Sequence, residues 1–411
     1  MAKTCKKFLE QLYATFLRTI APFYKLVYSK LFLHQKERAK KHVVLLITRA
    51  HDIELLINLH QKCCSYQDLS LSFWMVNNCA KREPRILDEL KEKNISVEMT
   101  VSFGRLFQIL NKLLQTDAFL STVESTTAKH KLPYIVTSLA NVVGVSTYTM
   151  QHGFENVGLS YCDEIHGPEV KFIAKTVLTW GPVGELPAWV APETRVKSVA
   201  VGCPKKLIIN KNNPAANTGG PPLIGIFDNL HWHRYDERYF AKFLHDLEAT
   251  AKRNRQFRFI LKSHPDSVRN RSDELTARLR NIQHVDIADM LGETEVPLTT
   301  PWLLSHALGV ITTPSTIALD GALADVPVAV TEYGLNLDYY FPLTLLDNLD
   351  DWQNFLNGLT EESEYRSLKL QGENFLARVL IPGDPAKKIL DMMTGQKTGR
   401  DIIDTNPVST G

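Results

Sequence analysis

No stretch of the sequence approaches the ~18 uninterrupted apolar residues a membrane-crossing helix needs, which argues against an integral helical membrane protein. Cysteine is sparse. The six cysteines, Cys5, Cys63, Cys64, Cys79, Cys162 and Cys203, show no C-x-x-C spacing, so neither a disulfide framework nor a zinc site is expected, and a reducing compartment fits. An excess of either charge is also missing: 47 Lys and Arg against 45 Asp and Glu leave +2, and nothing global points to nucleic acid. Internal repeats are absent, as is any Pro-rich linker before residues 210–222. The amino-terminal lysines precede an apolar region, but Glu10, Arg18 and Pro22 interrupt it, so no cleavable signal peptide is expected. A cytoplasmic protein is the reading.

What is present is enough chain for two cores: 411 residues, 44% hydrophobic. Short apolar runs alternate with helical stretches. Strands are expected at 43–48, 71–76, 97–101, 118–122, 146–150, 177–180 and 198–201, with helices such as 85–93 and 127–142 between them. The polar segment "NKNNPAANTGGPP" marks a seam, after which the pattern restarts with strands at 223–227, 257–262, 285–287, 309–312 and 328–330, and helices at 236–253, 302–306 and 316–324. Such alternation implies parallel sheets with crossover helices. The fold class expected is α/β, with two doubly wound Rossmann-like domains, 41–210 and 211–350, facing a cleft. Helices over 351–395 are expected to cross back, followed by a frayed tail at 396–411.

Residues 1–40 form a basic amphipathic segment. Phe8, Leu12, Phe16 and Ile20 recur at helical spacing, then Tyr24, Val27 and Leu31 beyond Pro22, while Lys6, Lys7, Arg18, Lys25 and Lys30 supply charge. The segment either lies on an anionic membrane surface, which would seat the protein peripherally on the inner face of the cytoplasmic membrane, or packs on the first domain or a second subunit.

Ligands of such sheets gather outside the carboxyl ends of the strands. Three polar clusters fall there: "MQHG" after 146–150, "KSHPDS" after 257–262 and "TTPST" after 309–312. His152, freed to turn by Gly153, is placed to act as a general base near neutral pH. His264, held extended by Pro265, either donates a hydrogen bond to a nucleotide or shapes a turn. Ser315 and Thr316 open a helix, which makes them an anion site or a plain N-cap. Asp320, one turn on, either reaches ribose hydroxyls or favours the dipole. In "FDNLHWHRYDERY", Trp232 is a candidate to stack on a base or sugar and Arg234 to pair with a phosphate. His231 and His233 have no evident third ligand, so no metal is expected. Asp228 and Glu124 are further cleft candidates.

"TWGPVGE", "VAVGCPKK", "LKSHPDS" and "ITTPSTIALDGALADVPVAV" stand in an order that resembles GT-B transferases of bacterial surface polysaccharides. The chain looks like the CDP-glycerol glycerophosphotransferase and capsule polysaccharide synthesis families, with Kdo and sialic acid transferases as more distant relatives. The resemblance spans about residues 115–345. It implies a general base at His152, flanked on the acceptor side by Gln151 and Gly153. It also implies donor contacts at His264 and Pro265, phosphate contacts at Ser315 and Thr316, and an acidic residue at Asp320. The sequence departs from the families at Gly202-Cys203-Pro204, at Gly309 and in "FENVG" after His152-Gly153, which leaves the acceptor open. The function expected is transfer of a sugar or polyol phosphate from a CMP- or CDP-activated donor to a polysaccharide or lipid-linked acceptor, catalysed by His152 and His264 with no metal or other cofactor. The rivals are a nucleotide-sugar 2-epimerase-like isomerase and a noncatalytic member of a polysaccharide assembly complex.

Overall fold

The computed structural model describes residues 2–32, 40–49, 51–82, 85–127, 130–162, 170–205, 220–269, 272–291 and 298–395. Residues 210–219 of the expected seam at 210–222, and the tail at 396–411, lie outside them.

Seven strands form the first sheet: β1 (Lys41–Ile47), β2 (Leu69–Val76), β3 (Val97–Val101), β4 (Ala118–Ser121), β5 (Ser146–Met150), β6 (Thr176–Thr179) and β7 (Ser198–Ala200), in the order 3-2-1-4-5-6-7. Six form the second: β8 (Leu223–Asp228), β9 (Arg258–Ser263), β10 (Val285–Ile287), β11 (Ala307–Thr312), β12 (Val328–Thr331) and β13 (Thr344–Leu346), in the order 10-9-8-11-12-13. Every pairing between these strands is parallel. Strands covered on both faces need unbroken apolar sequence, and β1 supplies it: Val43 to Ile47 have no exposed surface. Each sheet reverses its order beside its first strand, between β1 and β4 and between β8 and β11. The ends of these strands are therefore where a ligand crevice forms.

Most expected elements are present within a residue or two. The helix expected at 127–142 begins only at Lys131, because Ser125 to Thr127 turn back on themselves, with the Thr127 N–H donating to Ser125 Oγ. Among the elements the sequence reading did not name are β13, the helices Leu106–Leu113 and Asp273–Asn281, and α2 (His51–Cys63), which directly follows β1.

The amino-terminal helix α1 (Ala2–Phe32) runs through Pro22, at the cost of one backbone hydrogen bond. It docks by small residues. Ala14, Leu17 and Ala21 are buried against the core that includes Leu110, Ile135 and Leu139, whereas Leu12 and Phe16 from the expected apolar stripe are 56% and 57% exposed. The side chains of Lys6, Lys7, Phe8, Val27, Lys30 and Leu31 lie outside the described residues.

At the other end, the helices Leu349–Thr360 and Glu362–Val379 pack on the second domain, and the chain then returns to the first. The Ile381 N–H donates to the Trp180 carbonyl, and the helix Pro385–Thr394 lies on α2, where Asp391 accepts from the Tyr66 hydroxyl at 2.6 Å. This strap explains two glycines of the motifs. A Cβ on Gly181 would overlap the Val379 carbonyl, and one on Gly202, which has φ +96°, would lie 2.8 Å from the Ile381 carbonyl.

Candidate functional site

β5 ends at Met150, and the next residues are fixed by their neighbours. Gln151 is buried, its amide donating to the Gly153 carbonyl and its oxygen accepting from the Trp180 N–H, so it ties the ends of β5 and β6 together. The His152 N–H donates to Asn156 Oδ1, and its ring Nδ1 lies 3.1 Å from the Thr122 carbonyl. A carbonyl only accepts, so Nδ1 carries the proton and Nε2 keeps its lone pair.

The His264 ring is wired in the opposite sense. Its Nδ1 accepts from the Asp266 N–H at 3.1 Å, which leaves the proton of the neutral ring on Nε2. One histidine from each domain thus offers Nε2, His152 as an acceptor and His264 as a donor, and both feel the charge of Arg49.

Between them stand residues the sequence reading missed. "ITRAHD" at the end of β1 sits at the switch point of the first sheet. Asp52 Oδ2 accepts from the Thr48 and Arg49 N–H groups and the Thr48 hydroxyl, which clamps the turn into α2. His51 stacks on His152 with centroids 5.7 Å apart. Arg49 Nη2 donates to His130 Nε2 at 3.3 Å, and His130 in turn meets Ser125 Oγ at 2.7 Å. Loss of water contact, followed by the charge of Arg49, pushes both His51 and His152 down to about 3, so both are neutral at pH 7. Although the His51 side chain is 41% exposed, its Nε2 is covered and lies 3.6 Å from Asp52 Oδ1 without a hydrogen bond. The signal that would have found these residues is the strand-end rule, applied to β1.

The Ser-Thr helix start is met by partners within the protein. Ser315 Oγ accepts from the Ile317 N–H and contacts Thr312 Oγ1, and Thr316 Oγ1 accepts from the Phe154 N–H at 2.9 Å across the domain seam. The Asp320 carboxylate meets the first domain. It is buried and pairs at 2.7 Å with Lys205, which also reaches Glu54 of α2. Burial raises the Asp320 carboxyl against the opposing pull of Lys205.

The other expected site residues divide similarly. The loop after β8 does cross the cleft, but Arg234 is committed to Glu155 at 2.8 Å and to the Pro314 carbonyl, over the Tyr161 ring. Trp232 packs edge-on against Tyr161 and donates to Asn229 Oδ1. Glu124 is buried with its two oxygens accepting from the Ile173 and Ala174 N–H groups, and burial lifts its carboxyl to about 7. Pro265 opens the short helix Pro265–Arg269, and the Asp228 carboxylate lies near the Leu230 N–H. Among the described residues, His231, His264 and Asp266 are the group that could hold a metal ion, rather than His231 with His233. The His231 and His264 rings stack at 4.5 Å. As wired, His264 Nε2 carries hydrogen, and a metal there would have to displace it.

No family model matches the chain, and no curated protein does. Solved structures do. The UDP-GlcNAc 2-epimerase from Neisseria meningitidis bound to UDP-GlcNAc is similar at TM-score 0.60 and 11% identity, over 86% of this chain and 100% of that one. Anabaena HepE in complex with UDP-glucose is similar at TM-score 0.58 and 11% identity, over 86% and 99%. The wall teichoic acid polymerase TagF soaked with CDPG gives TM-score 0.54 and 10% identity, over 95% and 97%. At such identities the likeness is one of fold: two Rossmann-like domains with parallel sheets about a cleft, the GT-B architecture.

Proposed function

We propose that the chain is a nucleotide-dependent transferase that moves a sugar or polyol phosphate from an activated donor, a cytidine nucleotide in the first instance, to a hydroxyl of a polysaccharide or lipid-linked acceptor. The observation that supports this reading is the opposite wiring of His152 and His264 on the two walls of one cleft. An acceptor hydroxyl hydrogen-bonded to His152 Nε2 loses its proton to that nitrogen as its oxygen attacks the donor. The bond to the nucleotide breaks, and the electron pair leaves on a phosphate that the His264 Nε2–H and the Arg49 guanidinium stabilise. His152 is a weak base in the free cleft. An anionic donor beside it raises its proton affinity, so binding and base strength rise together. When the domains part, the Thr316 hydroxyl exchanges Phe154 for the donor phosphate, and closure then excludes water.

The reading needs no metal. Calorimetry and thermal shift with CMP, CDP, UDP, GDP and ADP, repeated on His264→Ala and in EDTA, test it. Stabilisation by a cytidine nucleotide that is lost in the variant and kept in EDTA is the expected outcome. Silence toward every nucleotide would overturn the reading in favour of an assembly role, and loss in EDTA would move His264, His231 and Asp266 to a metal site.

An epimerase reading draws on the likeness to the Neisseria enzyme. Against it, Asp52, Glu155, Asp266 and Asp320 are each already paired with a donor or cation. Incubation with UDP-GlcNAc and detection of its 2-epimer would decide for it.

The seat of the enzyme on an anionic membrane surface is part of the proposal. Residues 1–41 carry ten Lys and Arg against two Glu in a chain whose total is only +2. On α1, Leu12, Phe16, Phe23 and Leu26 form an exposed stripe opposite the docked Ala14, Leu17 and Ala21. No helix among the described residues is long and apolar enough to cross a membrane.

A further inference from the structure

The domain seam has two sides. The Phe154 N–H bond to Thr316 and the contacts of Arg234 with Glu155 and Pro314 partition it. On one side stand Arg49, His51, His152 and His264. On the other a separate cavity of about 950 Å³ opens between the domains, with none of those four residues in its walls. That is the upper end of the ~300–1,000 Å³ range of small-molecule sites.

The chemistry of this second cavity differs from that of the first. Its charged walls are the carboxylates of Glu155, Glu185, Asp236 and Asp338 against the guanidinium groups of Arg234 and Arg378, with no lysine among the described residues. Both cations are engaged within the protein, Arg234 by Glu155 and Arg378 by the carbonyls of Asp338 and Tyr339. A phosphate-bearing ligand would meet net negative charge there. Aromatic surface is plentiful: Trp189 is partly exposed on the wall of the first domain, and Tyr339 on that of the second lies flat on Phe154 at 4.6 Å, so its orientation is set before any ligand arrives. Rings beside carboxylates that accept hydroxyl protons suit a ligand with apolar C–H faces and many O–H groups.

We propose that this cavity binds a neutral, hydroxyl-rich saccharide chain, apart from the nucleotide end of the seam. The site would hold an acceptor or product chain away from the histidines, but the inference stands on the cavity and does not rest on the transferase reading.

The test is titration calorimetry of the full chain with neutral pentasaccharides of α-glucose, β-glucose and β-N-acetylglucosamine, beside a sulfated hexasaccharide as the anionic comparison. A neutral oligosaccharide is expected to bind with a dissociation constant between about 10 µM and 1 mM. Trp189→Ala should weaken it at least tenfold, and Glu185→Gln, an exposed change that leaves the fold intact, by threefold or more. His264→Ala should leave it unaltered, and Trp189→Ala should leave any nucleotide response unaltered. Binding of none of the neutral chains, preference for the sulfated one, or binding that survives both wall variants would each overturn the proposal. Loss of nucleotide binding in His264→Ala with saccharide binding intact separates the two sites.

Discussion

His152 and His264 are both neutral imidazoles at pH 7, yet the backbone group each meets decides what it can do. The Thr122 carbonyl makes His152 a proton acceptor, and the Asp266 N–H makes His264 a donor. His152→Asn keeps an N–H toward Thr122 but removes the ring base, so turnover should fall roughly 10²–10⁴-fold with the melting temperature little changed. Steady-state assay and thermal melts check it, and unchanged turnover would sink the mechanism. His51 and His152 also predict a pH dependence of stability. Their folded values near 3 lie below the ordinary 6.5, so between those limits the unfolded chain binds more protons. Stability should be fullest above pH ~6.5 and decline as the pH falls toward 3. Chemical denaturation from pH 4 to 8 should show this slope, flattened in a His51→Asn, His152→Asn double variant.

Elements bring these residues together. Parallel β1 and β5 flank β4, so Arg49, His51 and His152 emerge on one edge although 100 residues separate the last two in sequence. Gly202 serves the strap behind them: with φ +96° and no room for a Cβ beside Ile381, Gly202→Ala should destabilise by about 1–3 kcal/mol in denaturant titration. Helix α1 carries the opposite kind of prediction. Changing Leu12, Phe16, Phe23 and Leu26 together to Ser should abolish sedimentation with phosphatidylglycerol vesicles and leave thermal stability unaltered, since these side chains are outside the core. Retained sedimentation would remove the membrane role of the stripe.

At the level of the whole molecule, apolar packing of Phe154 against Tyr339, Tyr340 and Phe375 joins the domains, with a few polar contacts beside it. Arg234 and Glu155 are 12% and 13% exposed, so Glu155→Ala leaves a guanidinium with no carboxylate partner and should cost about 3–5 kcal/mol. Replacement of both by Met should recover most of that loss, measured in a double-mutant cycle. X-ray scattering would report whether the single variant also opens the cleft.

Local pattern determined much of this protein. Short apolar runs such as "VVLLI" and "LIGIF", bounded by polar residues, read as buried strands, and the alternation with helices is enough to imply two parallel sheets. The positions of His152, His264 and the Ser315-Thr316 pair at strand ends were readable for the same reason. Partnership was not readable, because it depends on which strand ends become neighbours. Thr316 meets Phe154 from 162 positions away, Asp320 meets Lys205 from 115, and Arg234 meets Glu155 from 79. Those contacts place three expected ligand-binding side chains at the seam. The same long-range packing brings Arg49 and His51, which a strand-end position alone marks in the sequence, against His152. Burial there lowers the proton affinity of both imidazoles, a consequence of lost water that only the folded chain imposes.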